Sequence, residues 1–143
     1  MIHRRFALIF GIVFLLVGIA GFIPGVTTPH THPDVQMTPG LGLVLGLFPV
    51  NVLHNIVHLA FGVWGLVASR SDSGGSVYAK AVAIIYALLT VMGLLPFANL
   101  HTTFGLIPLY GHDVWLHAGL AVVAAYFGFF HHQRSSDGTR RMA

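Results

Sequence analysis

Residues 51–62 read NVLHNIVHLAFG and place two histidines, His54 and His58, four positions apart inside a strongly apolar run. On a helix this spacing puts both imidazole rings on one face, about one turn apart. The apolar run continues to Ser69, a length typical of a membrane-spanning helix. Ionisable side chains within such a helix are costly and usually functional. The stretch therefore predicts both a membrane fold and a candidate site.

A second stretch repeats this arrangement near the end of the chain. Residues 112–117 read HDVWLH, so Asp113 and His117 are also four positions apart in an apolar setting. Two such pairs on two helices supply three imidazoles and one carboxylate. We expect these groups to lie at similar depths and to face one another.

Composition indicates an integral membrane protein that contacts the lipid bilayer. The chain has 143 residues, of which 55% are hydrophobic and 8% charged, whereas soluble domains carry about a quarter charged residues. This length suits one domain, predicted over residues 1–130. The chain contains no cysteine, which excludes disulfides, iron–sulfur clusters and thiolate zinc sites.

Four apolar segments predict an all-α bundle of four transmembrane helices, over residues 6–23, 50–69, 77–95 and 112–130. The apolar run from Leu41 is too long for one straight span, and Pro49 divides it. We therefore predict a short interfacial or re-entrant helix over residues 41–48. Asn51 is a good N-cap for the span that follows.

The connections between these segments are polar. Residues 26–40 contain several prolines and predict a loop, and residues 69–76 predict a flexible connector. A shorter third loop carries His101, and residues 131–143 form a polar tail.

The basic residues predict the orientation of the chain in the membrane. All of them lie at the N-terminus, at the middle connector or in the tail: Arg4, Arg5, Arg70, Lys80, Arg134, Arg140 and Arg141. By the positive-inside rule both termini are then cytoplasmic, in a bacterial inner membrane. Since these residues flank apolar segments, nucleic acid is not an expected partner.

A recurring Gly-x-x-Pro motif suggests an internal repeat. Segments one and three both end in Gly-x-x-Pro. The same motif precedes segments two and four, where it ends at Pro49 and Pro108. The chain then consists of two similar helical hairpins, related as parallel repeats. Aligning the two prolines places the pair at 54 and 58 over the pair at 113 and 117.

The matched pairs predict a divalent metal site formed by His54, His58, Asp113 and His117. Imidazole and carboxylate ligands without thiolates suit zinc, iron, manganese or cupric copper. Helical bundles build such sites from pairs on facing helices.

Three alternatives stay open for these residues. In the first, the histidines only hold helices together by hydrogen bonds with Asn51, Asn55, Tyr110 and Asp113, and His112 is a further supporting polar residue. In the second, His58 and His117 bind a b-type haem, although small residues such as Gly11 and Gly62 predict a close-packed core with little room for a macrocycle. In the third, Asp113 and a histidine titrate in a proton or substrate path.

The first loop offers further donors. His30, His32 and Asp34 could capture a metal outside the membrane, with His101 and His112 as additional ligands. The alternative is a solvated, proline-rich loop without a ligand.

No motif indicates a familiar enzyme class. The sequence has no phosphate-binding glycine loop, no nucleophile elbow and no H-E-x-x-H helix. It therefore favours a non-enzymatic membrane protein, which either binds a metal or serves as a structural or accessory subunit. Such a protein could form a homo-oligomer or join a larger membrane complex.

The motif Asn51-x-x-His54-Asn55-x-x-His58, followed by Asp113-x-x-x-His117, resembles a family of small bacterial four-helix membrane proteins. This family is a domain of unknown function, number 4383, and the resemblance covers roughly residues 5–130. It implies a four-span inner-membrane fold and carries no assigned activity.

Overall fold

The computed structural model describes residues 1–35, 38–95 and 97–131, and this part of the chain is mainly helical. It contains four α-helices: α1 (Ile2–Ala20), α2 (Val52–Ala68), α3 (Asp72–Leu94) and α4 (His112–Ala125). A π-helical segment, Tyr126–Phe130, extends α4. Helix α1 packs mainly on α2, α3 packs mainly on α4, and contacts between α1 and α3 join the two hairpins.

Three of these helices are long and apolar enough to cross a membrane: α1, α3 and α4 with its π-helical extension. Helix α2 is apolar but has only 17 residues, about 26 Å at 1.5 Å per residue, against a hydrocarbon thickness of about 30 Å. The chain therefore has the character of a multi-pass membrane protein.

The region before α2 is a small sheet, so the predicted helix over residues 41–48 is wrong. Strands β1 (Thr27–Pro29), β2 (Gly42–Val44) and β3 (Phe48–Val50) form an antiparallel sheet in that order. The turn between β2 and β3 has positive φ at Leu45 and Gly46, a backbone that suits a hairpin and excludes a helix. A short apolar run does not by itself distinguish strand from helix.

The connection between α2 and α3 is shorter than predicted. Ser71 caps α3 by accepting a hydrogen bond from the Gly74 amide at 3.0 Å, so the helix begins at Asp72 and not near Val77. The glycine at 75 serves close packing and not flexibility, because a Cβ there would collide with the backbone of His3.

Glycines also bring α1 and α2 together, which confirms the predicted close packing. A Cβ added at Gly11 would lie 2.9 Å from the carbonyl oxygen of Gly62, and one at Gly65 would lie 2.8 Å from that of Ala7. Beside this contact, a cluster of buried side chains forms the core, including Phe6, Phe14, Tyr78 and Tyr86.

The two ends of the bundle differ in character. At one end, His3 Nδ1 lies 3.2 Å from Asp72 Oδ2, and Arg4 Nε donates to the Ser69 carbonyl at 3.0 Å. The ring of His131, at the end of α4, lies 6.1 Å from that of His3. The sheet and a 3₁₀ turn, Phe97–Thr102, which is kinked by positive φ at Ala98 and Asn99, lie at the opposite end. The rest of the predicted tail, residues 132–143, lies outside the described residues, as does Pro96 of the repeat motif.

Candidate functional site

The site begins at Asn51, the residue that starts α2. Its Oδ1 accepts a hydrogen bond from the His54 amide at 2.9 Å, as the predicted N-cap should. Its Nδ2 donates to the Leu106 carbonyl at 2.7 Å, in the loop before α4. The side chain is completely buried. One amide therefore caps the helix that carries two histidines and ties that helix to the other hairpin.

His54 and His58 lie on one face of α2, as their spacing predicts. Their ring centroids are 4.4 Å apart, and both residues are buried, with 3% and 7% of their surface exposed. Phe14 of α1 packs against His58 at 5.8 Å. The two imidazoles therefore face the interior of the bundle.

His117 of α4 completes a group that we call the buried trio: His54, His58 and His117. One ring nitrogen from each residue lies within 4.8 Å of the other two. His117 is 2% exposed, and its ring centroid is 6.2 Å from that of His54. Helices α2 and α4 thus bring three imidazoles to one place from residues far apart in sequence.

Asp113 lies beside the buried trio and is not part of it. Its Oδ2 is 3.5 Å from His117 Nδ1, one turn along α4, and the residue is 2% exposed. Metal-binding histidines commonly direct their second nitrogen to a carboxylate, which fixes the ring orientation. The geometry suits Asp113 to that orienting role more than to the role of a direct ligand.

Several buried polar atoms of this site have no hydrogen-bond partner among the described residues. They are Nδ1 of each histidine of the buried trio and Oδ2 of Asp113; of these, His117 Nδ1 and Asp113 Oδ2 face each other at 3.5 Å. Buried polar atoms are nearly always paired, and leaving one unpaired costs about 1–3 kcal/mol. The residues present therefore fit a group that accepts lone pairs.

A small cavity adjoins the buried trio. It has a volume of about 150 Å³ and is lined mostly by apolar side chains, among them Phe61, Ile85 and Leu89, together with all three histidines. An apolar cavity of about this size holds a molecule such as benzene, so it is too small for a porphyrin. A small ligand could reach the histidines here.

Sequence reasoning missed three neighbours of the buried trio. Tyr86 of α3 packs edge-on against His117 at 4.8 Å, Phe14 lies against His58, and Thr103 lines the cavity. No spacing rule links these residues to the histidines. Only the packing of α1, α3 and the third loop on the α2 and α4 pair brings them there.

The other predicted supporting residues lie elsewhere. Asn55 packs against Gly21, the residue that follows α1, where an added Cβ would collide with the Asn55 side chain. His112 is exposed at the start of α4. Tyr110 stacks on His32 with centroids 4.4 Å apart, and burial raises the pKa of its phenol above the usual value.

A second group, the loop trio, lies at the sheet end of the bundle: His32, Asp34 and His101. One ligand-type atom from each lies within 4.8 Å of the others. His101 Nε2 is 3.4 Å from Asp34 Oδ2. His30 and His112, which the sequence offered as further donors, do not belong to this group.

The chain matches the model of a protein family over residues 4–130, nearly the whole of the described part. It belongs to DUF4383. This family is a domain of unknown function. Membership therefore confirms the predicted resemblance but assigns no activity to the protein. No curated protein and no solved structure was found to match the chain.

Proposed function

We propose that this DUF4383 protein is a four-span membrane protein that binds a divalent transition metal within the bundle. The ligands are His54, His58 and His117, and Asp113 orients His117. The observation that carries the proposal is the convergence of three buried ring nitrogens within 4.8 Å, drawn from two helices.

The unpartnered atoms support this proposal over a hydrogen-bond network. A network should pair the histidine nitrogens with Asn51, Asn55, Tyr110 or Asp113. Among the described residues, the hydrogen bonds of Asn51 instead go to backbone groups, and Nδ1 of His54 and Nδ1 of His58 have no hydrogen-bond partner. Coordination would satisfy nitrogens that hydrogen bonding leaves exposed to an apolar interior.

The donor chemistry narrows the class of metal. Three imidazoles without a thiolate suit zinc, iron or copper. When bound, such a metal would supply a Lewis-acid or redox centre, and three protein ligands leave a position for a small ligand from the adjoining cavity.

The proposal is tested by metal analysis of protein purified in detergent, loaded with Zn²⁺ and freed of excess. His58→Ala and His117→Ala should each lose one equivalent of zinc relative to the wild type. His112→Ala is the matched control, because His112 is exposed on α4 and outside both trios. Equal zinc in the wild type and in both trio variants would refute the proposal.

Thermal unfolding separates the metal site from the hydrogen-bond network. A metal that binds only the folded state stabilises it by about 2.7 kcal/mol at a hundredfold excess over Kd. Adding a chelator should therefore lower the unfolding midpoint of the wild type more than that of His58→Ala. If His58→Ala is equally destabilised with and without chelator, the histidines act structurally.

We further propose that all four helices span the bilayer, with both termini in the cytoplasm. Arg4 and Arg70 lie at the same end of the bundle, and the sheet lies at the other. Because the chain has no cysteine, single cysteines report topology cleanly. In intact cells an impermeant maleimide should label Thr31→Cys and spare Ser73→Cys. The reverse pattern would show the opposite orientation in the membrane. Labelling of both cysteines would show that α2 does not cross the bilayer and would refute the four-span topology.

A further inference from the structure

The loop trio joins two segments that are distant in sequence. His32 and Asp34 lie between β1 and β2 in the first hairpin, and His101 lies in the 3₁₀ turn of the second. This part of the molecule is outside the membrane-spanning helices. Any group held by all three residues would link the two hairpins at the sheet end of the bundle.

His101 is held in a tightly wound segment. Its carbonyl accepts a hydrogen bond from the Leu109 amide at 2.8 Å. The next residue, Thr102, is fully buried, and its Oγ1 accepts from the Gly105 amide at 3.2 Å. The backbone that presents His101 is therefore fixed before any ligand arrives, which is what a binding site needs.

His32 is fixed from two sides. Its ring stacks on Tyr110 with an interplanar angle of 25°. Its Nδ1 accepts a hydrogen bond from the Asp34 amide at 3.2 Å, so the lone pair of this nitrogen faces Asp34. A metal bound through the same nitrogen would replace that long hydrogen bond.

The distance between His101 and Asp34 is compatible with both side chains binding one metal ion. Charge-assisted hydrogen bonds between nitrogen and oxygen are about 2.7–2.9 Å long, whereas His101 Nε2 and Asp34 Oδ2 are 3.4 Å apart. Ligand atoms on a tetrahedral zinc ion, with bonds of about 2.0–2.1 Å, lie about 3.3 Å from one another. A separation of 3.4 Å therefore lets both groups reach one ion with little rearrangement.

We propose that His32, Asp34 and His101 form a second divalent transition-metal site, at the aqueous surface, that links the first and third loops. Two imidazoles and one carboxylate are a donor set used for zinc and for ferrous iron, and they leave at least one position for water. The Asp34 side chain is 42% exposed, so an ion can enter directly from solvent. This site is independent of the buried trio.

The test is the zinc stoichiometry of the full-length protein in detergent, measured after chelation, reloading with Zn²⁺ and removal of the excess. His101→Ala and Asp34→Asn should each bind one equivalent less than the wild type. His30→Ala is the matched control, because His30 lies on the same loop and outside the trio, and it should bind as the wild type does. Stoichiometry unchanged in both trio variants would overturn the proposal.

Two features keep this test decisive. Asp34→Asn preserves the size of an exposed side chain, so it reports binding even if His101→Ala fails to fold. Loss of zinc in the loop variants alone supports this site without the buried one, and loss in His58→Ala alone supports the reverse. Reloading with Co²⁺ gives a second readout, since the absorption of tetrahedral cobalt should fall in Asp34→Asn and stay in His30→Ala.

Discussion

The buried trio has three histidines and the loop trio has two histidines and an aspartate; in each trio the ligand-type atoms lie within 4.8 Å of one another, but different parts of the fold assemble them. The buried trio stands on two helices, where a spacing of four residues sets the relation of His54 to His58. The loop trio stands on a proline-rich loop and a 3₁₀ turn, where no spacing rule applies. The contrast shows that helical spacing predicts which histidines share a face, whereas in the loops the sequence only names candidate donors and the fold selects His32, Asp34 and His101 among them.

The two trios also differ in their relation to water. His54 and His117 are at most 3% exposed, whereas the side chains of His101 and Asp34 are 17% and 42% exposed. A metal in the buried trio must enter through the packed bundle, but the loop trio exchanges ions with solvent. We therefore expect a chelator to remove zinc from the loop trio first.

The largest loss of stability should follow from Asn51→Ala, which removes the hydrogen bonds that connect the start of α2 to the third loop. The substitution removes an N-cap, worth about 1 kcal/mol, and leaves the Leu106 carbonyl unpaired, which costs about 1–3 kcal/mol. Thermal unfolding in detergent should show a loss of about 2–4 kcal/mol. Ser71→Ala is the control: it removes the exposed cap of α3 and a 3.4 Å contact with the Ser73 hydroxyl, and it should cost about 1 kcal/mol. Equal losses in the two variants would show that the Leu106 bond contributes nothing.

A smaller effect is expected from neutralising the carboxylate beside each trio. Asp113→Asn removes an orienting group, so zinc affinity at the buried trio should fall about 10–100-fold with the stoichiometry retained. Asp34→Asn removes a direct ligand, so the loop trio should lose its zinc. Competition titration with a zinc indicator measures both. Loss of a full equivalent in Asp113→Asn would instead make Asp113 a ligand.

Removing the ring that stacks on His32 should have a still smaller effect. Aromatic contacts contribute about 0.5–1.5 kcal/mol, so Tyr110→Ala should weaken zinc binding at the loop trio by up to about tenfold. Tyr110→Phe keeps the stacking and removes a hydroxyl that has no partner among the described residues. Zinc affinity should then stay at the wild-type value. A similar loss in both variants would assign the effect to the hydroxyl.

The smallest effect is expected at His112, an exposed histidine one residue before Asp113. His112→Ala should change the free energy of unfolding by no more than about 0.5 kcal/mol and should leave zinc affinity unchanged. Chemical denaturation and the same competition titration check both values. A marked loss of zinc would extend the buried trio to the start of α4.

Sequence patterns predicted the helices better than the segments between them. Long apolar runs located α1 to α4 to within a few residues, except that α3 begins five residues before the predicted Val77. The predicted helix over residues 41–48 failed because turn geometry at Leu45 and Gly46, and pairing with β1, decide that segment. Such pairing depends on a partner strand and is not visible within the run itself.

The candidate site also has features that the sequence predicts and features that it does not. The sequence by itself determined the membrane character of the chain, the pairing of His54 with His58 and the N-cap at Asn51, because hydrophobicity, helical periodicity and capping are local properties. Only the tertiary structure decided that His117 joins that pair while Asp113 stays beside it, and that His101 meets His32 and Asp34. Those contacts depend on how two hairpins pack and on how two loops close, and both are set by side chains far apart in the chain.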